Sequence, residues 1–202
     1  MSLKDGTKTY ITEKPVKNDD EPLFLASAGS DTVFYNAYRN ITTMPVGDTF
    51  FAGPSIVRMI TFITGVKDYG TMLEMASRGD RHKVDNCFND TYIPPEICEK
   101  YPYDNYPLTF LYKLSREGLE NKEYTIEDIC ASMYSCAALL MEKQMYLLAK
   151  VYNHKDVYIG GSLVQDNLYM QKLIGFYSTT QGPLNIYYMD HGSYLSGIGM
   201  LL

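Results

Sequence analysis

Two adjacent glycines, Gly160 and Gly161, follow a short apolar run and precede an amphipathic stretch, and this junction constrains the fold more than any other feature. Residues 157–159 are the β-branched and aromatic types that a buried strand favours. The glycines remove two side chains where a strand turns toward a helix, and Ser162 suits the N-cap. The unpaired N–H groups of a helix start attract ligand oxygens. The junction therefore predicts either an empty tight turn or a corner where a ligand approaches the backbone.

Composition limits the classes of protein to consider. The chain has 202 residues, 46% of them hydrophobic, which suffices for one domain or one large subdomain. Its formal net charge of -6 argues against a broad nucleic-acid surface. No apolar run approaches the roughly 20 residues of a spanning helix, and the N-terminus lacks the apolar core of a signal peptide. We expect a cytoplasmic protein with no membrane or nucleic-acid partner.

The cysteines form no C-x-x-C pair and have no histidines at zinc-ligand spacing. We expect reduced thiols and predict no metal-ligating side chains. The four residues are Cys87, Cys98, Cys130 and Cys136.

The first part of the chain predicts a polar lead-in followed by a β-hairpin. Residues 1–21 are polar without a period, and we expect them to be disordered. Residues 23–28 and 32–38 have the composition of paired strands, and Gly29-Ser30-Asp31 has that of a tight turn.

The middle of the chain predicts helices and one irregular excursion. A loop containing Pro45, Gly47 and Asp48 precedes a helix that ends at Thr64, and a second short helix spans residues 68–78. Four prolines and four tyrosines between residues 87 and 107 exclude a regular helix or a central strand there.

The best helix pattern spans residues 125–150, opening with the capping-box-like Thr125-Ile-Glu-Asp128. Its small and methionine-rich face suits the core or a subunit contact. A helix from Leu163 to about Ser178, a strand over 184–189 and a small-residue helix after Asp190 follow. This alternation predicts a parallel layer beside the antiparallel hairpin, hence an α/β fold with a mixed sheet.

In this order the segments resemble the C-terminal half of the eukaryotic and staphylococcal-type (type II) pantothenate kinases, in the acetate-and-sugar kinase, heat-shock protein and actin superfamily. The resemblance implies a ribonuclease H-like (actin-like ATPase) subdomain over residues 22–202. The motifs that carry it are Phe62-Ile-Thr-Gly65, residues 73–80 with Val84-Asp85, Val157-Tyr-Ile-Gly-Gly161, and Asp190-His-Gly-Ser-Tyr194 with Gly197-Ile-Gly199.

The resemblance implies ATP, with Mg²⁺, as the nucleotide bound. It places Gly160, Gly161 and Ser162 against the adenosine and the turn of Gly29 and Ser30 toward the phosphates. Gly47 remains from a glycine-rich segment, and Arg39 aligns with an arginine that contacts pantothenate. A guanidinium can bind that carboxylate bidentately, although a solvated strand-end arginine is an equal alternative.

The sequence also departs from the family pattern. Asp31 and Val33 stand where the family turn has glycine and serine, and Val46 and Asp48 flank the one retained glycine. A carboxylate facing phosphates is repulsive unless a metal ion lies between them.

The resemblance therefore leaves two functions open. One is ATP-dependent phosphorylation of pantothenate in coenzyme A biosynthesis, with this chain as the nucleotide-binding and dimer-forming half. We expect the half with the first phosphate hairpin and the general base to come from a separate N-terminal partner or a longer product, so no catalytic residue is predicted here. Coenzyme A thioesters are expected ligands, and a homodimer is an expected assembly. The alternative is a catalytically degenerate binding or scaffolding protein.

The remaining polar residues of interest have structural interpretations. We predict helix-end or loop hydrogen bonds for Asp80 and Asp85. The three histidines, His82, His154 and His191, are expected to pack or to face solvent.

Overall fold

The computed structural model of the chain describes residues 2–4, 7–9, 22–38, 43–90, 106–181 and 184–189. Its tertiary contacts form two compact units, one of Met1–Ser55 with Ala137–Leu202 and the other of Ile56–Cys136. The elements are β1 (Ser2–Lys4), β2 (Thr7–Thr9), β3 (Leu23–Ala28), β4 (Thr32–Ala37), β5 (Met44–Thr49), α1 (Gly53–Thr64), α2 (Tyr69–Arg78), β6 (Asn86–Cys87), β7 (Pro107–Thr109), α3 (Arg116–Glu120), α4 (Ile126–Val151), β8 (Asp156–Gly160), α5 (Leu168–Gln181) and β9 (Asn185–Tyr188).

A seven-stranded mixed sheet organises the first unit, in the order β2-β1-β9-β8-β3-β4-β5. Strands β3 and β4 form an antiparallel hairpin, and β5 adds antiparallel to β4. Strand β8 runs parallel to both β3 and β9. The predicted α/β fold, with an antiparallel hairpin followed by a parallel layer, is confirmed.

One face of this sheet is buried. Its alternate side chains in β3, β4 and β8 are at most 3% exposed, as period-two patterning requires. The Phe24 ring stacks on His154, just after α4, with centroids 5.4 Å apart. On the same face the Tyr188 hydroxyl donates to the Gln171 carbonyl of α5. The end of α4 and helix α5 thus cover this face. The buried strand residues are Phe24, Ala26, Ala28, Thr32, Phe34, Asn36, Val157 and Ile159.

The second unit is built from helices and a short hairpin. Its core combines aliphatic and aromatic side chains of α1, α2 and the first part of α4, with the Tyr69 and Tyr134 rings edge to face at 6.5 Å. Strands β6 and β7 pair antiparallel. The predicted helix over 68–78 is confirmed as α2, whose N-cap Asp68 accepts from the Thr71 N–H at 2.7 Å.

Helix α4 confirms the predicted capping box. The Asp128 carboxylate accepts from the Thr125 N–H at 2.8 Å, and the Thr125 hydroxyl accepts from the Asp128 N–H at 3.3 Å. These reciprocal bonds satisfy two of the donors that a helix start leaves unpaired.

Strand β5 corrects the prediction of a loop around Pro45, Gly47 and Asp48. These residues lie in a strand that pairs with β4. The ladder runs from Thr32 opposite Thr49 to Asn36 opposite Met44, with an irregularity between Phe34 and Tyr35. Proline is tolerated because β5 is an edge strand and because a bulge relieves the ladder beside it.

The start of α5 is a second correction, since the helix begins at Leu168 and not at Leu163. The Asn167 side chain accepts from the Met170 N–H at 3.0 Å and caps it. Asp166, at φ 55°, adopts the left-handed conformation that ends the preceding turn.

Two short strands also lie within the predicted disordered lead-in. Strands β1 and β2 pair with each other, and β1 meets β9 at Ser2 and Tyr187. A polar segment can join a sheet edge through backbone hydrogen bonds alone, which a hydropathy pattern does not register. The rest of that segment, most of the proline-rich stretch and the predicted helix after Asp190 lie outside the described residues.

Candidate functional site

Sheet register brings the two predicted glycine segments together. Strands β3 and β8 are parallel, with Ala26 opposite Ile159 and Ser27 opposite Gly160. Their carboxyl ends therefore share one edge of the sheet. There the turn of residues 29–31 lies beside residues 160–162, and we call these six residues the glycine corner.

Gly161 owes its identity to backbone packing. Its φ is +107°, and a Cβ on this residue would lie 2.2 Å from the Ala28 carbonyl oxygen. That oxygen accepts a hydrogen bond from the Leu163 N–H at 3.0 Å. A side chain at position 161 would break this contact, so the glycine is required by the fold whether or not a ligand binds.

Gly29 has a different environment. Among the described residues, a Cβ on Gly29 would meet only the Ser162 hydroxyl oxygen, at 3.5 Å, which is ordinary van der Waals contact. The two predicted segments are thus direct neighbours.

The first residue of α1 closes the corner from a third side. The Gly53 N–H donates to the Gly29 carbonyl at 3.1 Å, and a Cβ on Gly53 would lie 2.9 Å from the same oxygen. Our sequence interpretation did not include Gly53. The Gly-Pro pair at the helix start was the available indication, because such a pair marks a close approach or a turn.

The corner presents hydrogen-bond donors to solvent. The side chains of Ser30, Asp31 and Ser162 are exposed, and no described residue accepts a hydrogen bond from their backbone N–H groups. The Ser30 hydroxyl lies 3.3 Å from Asp31 Oδ1. Clustered backbone N–H groups and hydroxyls are suited to anionic oxygens, whereas the Asp31 carboxylate opposes them.

A second matched segment, residues 78–85, forms a structural network in the other unit. The Asp80 N–H donates to Asp128 Oδ1 at 2.7 Å, and the Asp80 carboxylate accepts from the His82 N–H at 3.1 Å. Gly79 is required here, because a Cβ would lie 2.0 Å from the Glu127 carbonyl oxygen.

Asp85 is the buried centre of this network, with 0% of its surface exposed. Its Oδ1 accepts from the Leu111 N–H at 2.9 Å and from the Ser132 hydroxyl, and Arg81 lies 3.5 Å from Oδ2. Burial raises the pKa of Asp85, and its hydrogen bonds with Ser132 and Leu111 oppose that shift. The predicted loop and helix-end roles of Asp80 and Asp85 are confirmed.

The basic residues around this network are paired with acids. Arg78 contacts Glu74 at 2.6 Å, Lys83 contacts Asp128 at 3.6 Å, and Lys113 contacts Asp90 at 2.9 Å. Each of these cations faces a carboxylate, so the cluster offers little attraction to an anionic ligand.

Comparison with known proteins identifies the family. A family model described as Fumble matches residues 4–202. The chain belongs to the Fumble family.

Several curated relatives of this Fumble-family chain are named pantothenate kinases. It is 23% identical to pantothenate kinase 1 of Oryza sativa subsp. japonica, over 98% of this chain and 30% of the relative. It is 21% identical to pantothenate kinase of Schizosaccharomyces pombe, over 90% of this chain and 46% of the relative. With type II pantothenate kinase of Bacillus anthracis it shares 22% identity, over 96% of this chain and 67% of the relative. The chain thus spans less than half the length of the Oryza and Schizosaccharomyces relatives.

The structure places the predicted site residues of this Fumble-family chain unequally. Gly29, Ser30, Gly160, Gly161 and Ser162 lie together in the glycine corner. Ser162 is not a helix N-cap, since it occupies a turn in which the Gln165 N–H donates to the Gly161 carbonyl at 2.8 Å. That part of the prediction was wrong, because the helix is capped five residues later.

Gly47 lies apart from the corner. Gly47 lies in β5, opposite Phe34 of β4. Two residue pairs of this ladder lie between Gly47 and the turn. A Cβ on Gly47 would lie 2.7 Å from Leu148 Cδ1 of α4, so close packing is one reason for this glycine. Arg39, the predicted pantothenate residue, lies outside the described residues, as do Asp190 and the glycines that follow it.

Within the described ranges, no group of three or more His, Cys, Asp or Glu side chains could hold a metal ion. No helix of those ranges is long and apolar enough to cross a membrane. Cys87, Cys130 and Cys136 are free thiols, as predicted, and burial raises the pKa values of Cys130 and Cys136 to about 11.

Proposed function

We propose that this Fumble-family chain is the nucleotide-binding half of a pantothenate kinase, which transfers the γ-phosphoryl group of ATP to pantothenate in coenzyme A biosynthesis. The observation that carries the proposal is the glycine corner at the carboxyl ends of β3 and β8. In open α/β sheets, ligands bind at that end of the strands. The names of the relatives supply the reaction, and the corner supplies a place for the nucleotide.

The residues of the corner fit phosphate and ribose oxygens. The N–H groups of Ser30, Asp31 and Ser162 and the two serine hydroxyls can donate to such oxygens, and Gly29 adds no side chain beside them. ATP, when bound, supplies the phosphoryl group. The part of this chain in that reaction is to bind and orient the nucleotide.

Asp31 is the residue that we propose as a ligand of Mg²⁺. Nucleotide-bound Mg²⁺ keeps several waters and takes one or two protein carboxylates. Asp31 is an exposed carboxylate at the phosphate-facing turn and would be its ligand. The same charge would repel phosphates if no ion were bound.

We place this half in an actin-like ATPase fold, with Arg39 as the pantothenate-binding residue. The general base would come from an N-terminal half, on a separate chain or on a longer product. Coenzyme A thioesters are proposed ligands, and the cytoplasm is the proposed compartment.

Helix α4 supports a homodimer as the proposed assembly. Three of its apolar side chains are exposed: Leu140 by 39%, Leu147 by 60% and Val151 by 74%. Their spacing of seven and four residues places them along one helix face. Such a stripe is suited to pack against an equivalent helix.

A binding or scaffolding role without phosphoryl transfer is the second candidate. Two observations favour it: Asp31 places a carboxylate at the turn, and packing alone accounts for Gly161. In that case the corner binds a ligand and performs no chemistry.

Calorimetry with Mg-ATP tests nucleotide binding directly. The wild-type chain is compared with Gly29→Glu, which adds a negative charge at the corner where a side chain has room. Ser77→Glu adds the same charge at an exposed position of α2 and serves as the control. We expect binding heat from wild type and Ser77→Glu, and at least tenfold weaker binding by Gly29→Glu.

A phosphorylation assay on pantothenate distinguishes the two candidate functions. Turnover after an N-terminal half is added supports the kinase, and nucleotide binding without turnover supports the second candidate. Absence of nucleotide heat from the wild-type chain under all conditions contradicts the nucleotide site itself. Turnover by the chain alone contradicts the need for a second half.

A further inference from the structure

Glu142 is a buried acid that the proposed function does not use. It lies in the second half of α4, and its exposed fraction is 0%. Neither of its carboxylate oxygens has a hydrogen-bond partner among the described residues. Buried carboxylates are normally paired or hydrogen-bonded, so this environment is unusual.

The neighbours of Glu142 along its own helix face are apolar. Ala138, Met145 and Ala149 lie on the same face of α4, and each is at most 3% exposed. Lys143, the next residue, is the one charged group whose field favours the anion. Among the described residues, Lys143 is the charged group that contributes to the shift in the pKa of Glu142.

Burial without a hydrogen-bond partner affects whether the Glu142 side chain is ionised. An ionised carboxylate in an apolar site lacks the solvation that water or a cation provides. Burial accordingly raises the pKa of Glu142 to about 8, and the field of Lys143 offsets only part of this shift.

We propose that Glu142 makes the packing of the second half of α4 dependent on pH near neutrality. As a neutral acid it is compatible with its apolar site. As an anion it favours states in which this part of the helix opens to water. Because the end of this helix covers the buried face of the sheet, the acid links proton concentration to the stability of the sheet-containing unit.

The sign of the effect follows from linkage. The folded chain holds this proton up to about pH 8, whereas the unfolded chain releases it near the ordinary value of 4.5. Between these values the folded state binds more protons, so its stability falls as pH rises. The unfolding equilibrium constant should increase by up to about tenfold per pH unit in that window and level off above it.

Urea unfolding measured from pH 5 to pH 9 on wild type and Glu142→Gln tests the proposal. Glutamine has a similar shape and no proton to release. Glu123→Gln, at an exposed position before α4, is the matched control. We expect wild type and Glu123→Gln to lose stability as pH rises and Glu142→Gln to lack that component. Identical pH profiles for all three proteins would overturn the proposal.

A measurement on the folded wild-type protein keeps the test decisive if Glu142→Gln does not fold. Carbon-13 labelling of glutamate carboxyl groups allows each side chain to be titrated by NMR. We expect one carboxyl signal to remain protonated at pH 7, while the exposed glutamates are ionised. If every glutamate carboxyl titrates near its ordinary value, Glu142 is not a neutral acid and the proposal is wrong.

Discussion

Gly161 shows how one backbone conformation fixes one residue type. We expect Gly161→Ala to lower the free energy of unfolding by roughly 2–5 kcal/mol, because it combines strain at positive φ with a backbone clash. Its new Cβ would lie 2.2 Å from the Ala28 carbonyl oxygen. Urea denaturation of the purified variant measures the loss.

Gly29→Ala is the matched control for this prediction. The added methyl group meets the Ser162 hydroxyl oxygen at 3.5 Å and has room. We expect a change within roughly 0.5 kcal/mol, as for most unconstrained surface substitutions. Equal losses in both variants would contradict the packing explanation of Gly161.

Asp85 illustrates the limit of sequence at this scale. Its position in a matched motif marked it as a residue of interest, and its buried contacts with Leu111 and Ser132 give it a structural task. The sequence predicted the kind of role. The partners could not be predicted, because they lie 26 and 47 residues away along the chain.

At the scale of elements, the capping box of α4 carries a prediction. Asp128→Ala removes the acceptor of both the Thr125 and the Asp80 N–H groups. We expect a loss of roughly 2–3 kcal/mol, since a helix cap and a second, partly buried N–H donor lose their partner together. Chemical denaturation of wild type and variant provides the value.

Thr125→Ala tests the remaining hydrogen bond of the capping box by itself. It removes only the longer of the reciprocal bonds, at 3.3 Å, and leaves the Asp80 contact in place. A loss of roughly 1 kcal/mol is expected. A loss as large as that of Asp128→Ala would contradict the greater weight given to the two N–H groups that the Asp128 carboxylate accepts.

Elements with a strong period were predictable, and those that depend on neighbours were not. The patterns for α4 and for the β3–β4 hairpin gave the right type and nearly the right bounds. Strand β5 was missed because Pro45 and Gly47 are typical of a loop, and the edge position and the bulge beside them make them acceptable in a strand. The start of α5 was missed because Asp166 adopts a conformation that composition does not reveal.

At the scale of the whole molecule, sequence reasoning predicted that glycines would line a candidate site. It did not predict which of them meet. The register of β3 against β8 places Gly29 beside Ser162, and the strand pairing of β5 keeps Gly47 away. Gly53 enters the corner through tertiary contact alone. Strand register and side-chain packing are properties of the folded chain, so sequence motifs do not predict them.

The exposed stripe on α4 yields a prediction about assembly. Leu147→Glu places a charge in its centre, where 60% of the leucine is exposed. If this face is the dimer contact, sedimentation should show at least a tenfold weaker self-association, because a charge at an apolar interface must be desolvated. Ser77→Glu again controls for net charge. A dimer of unchanged strength in Leu147→Glu would place the contact elsewhere.

The hydrogen bonds that hold the glycine corner affect the kinetics with which it binds a ligand. Residues 28 and 29 are held by main-chain hydrogen bonds from Leu163 and Gly53, so this turn has already lost conformational freedom during folding. Such preorganisation lets a ligand bind without ordering the backbone. Association should then proceed in a single kinetic phase, and the amide exchange rates of Leu163 and Gly53 should be slow before any ligand is added.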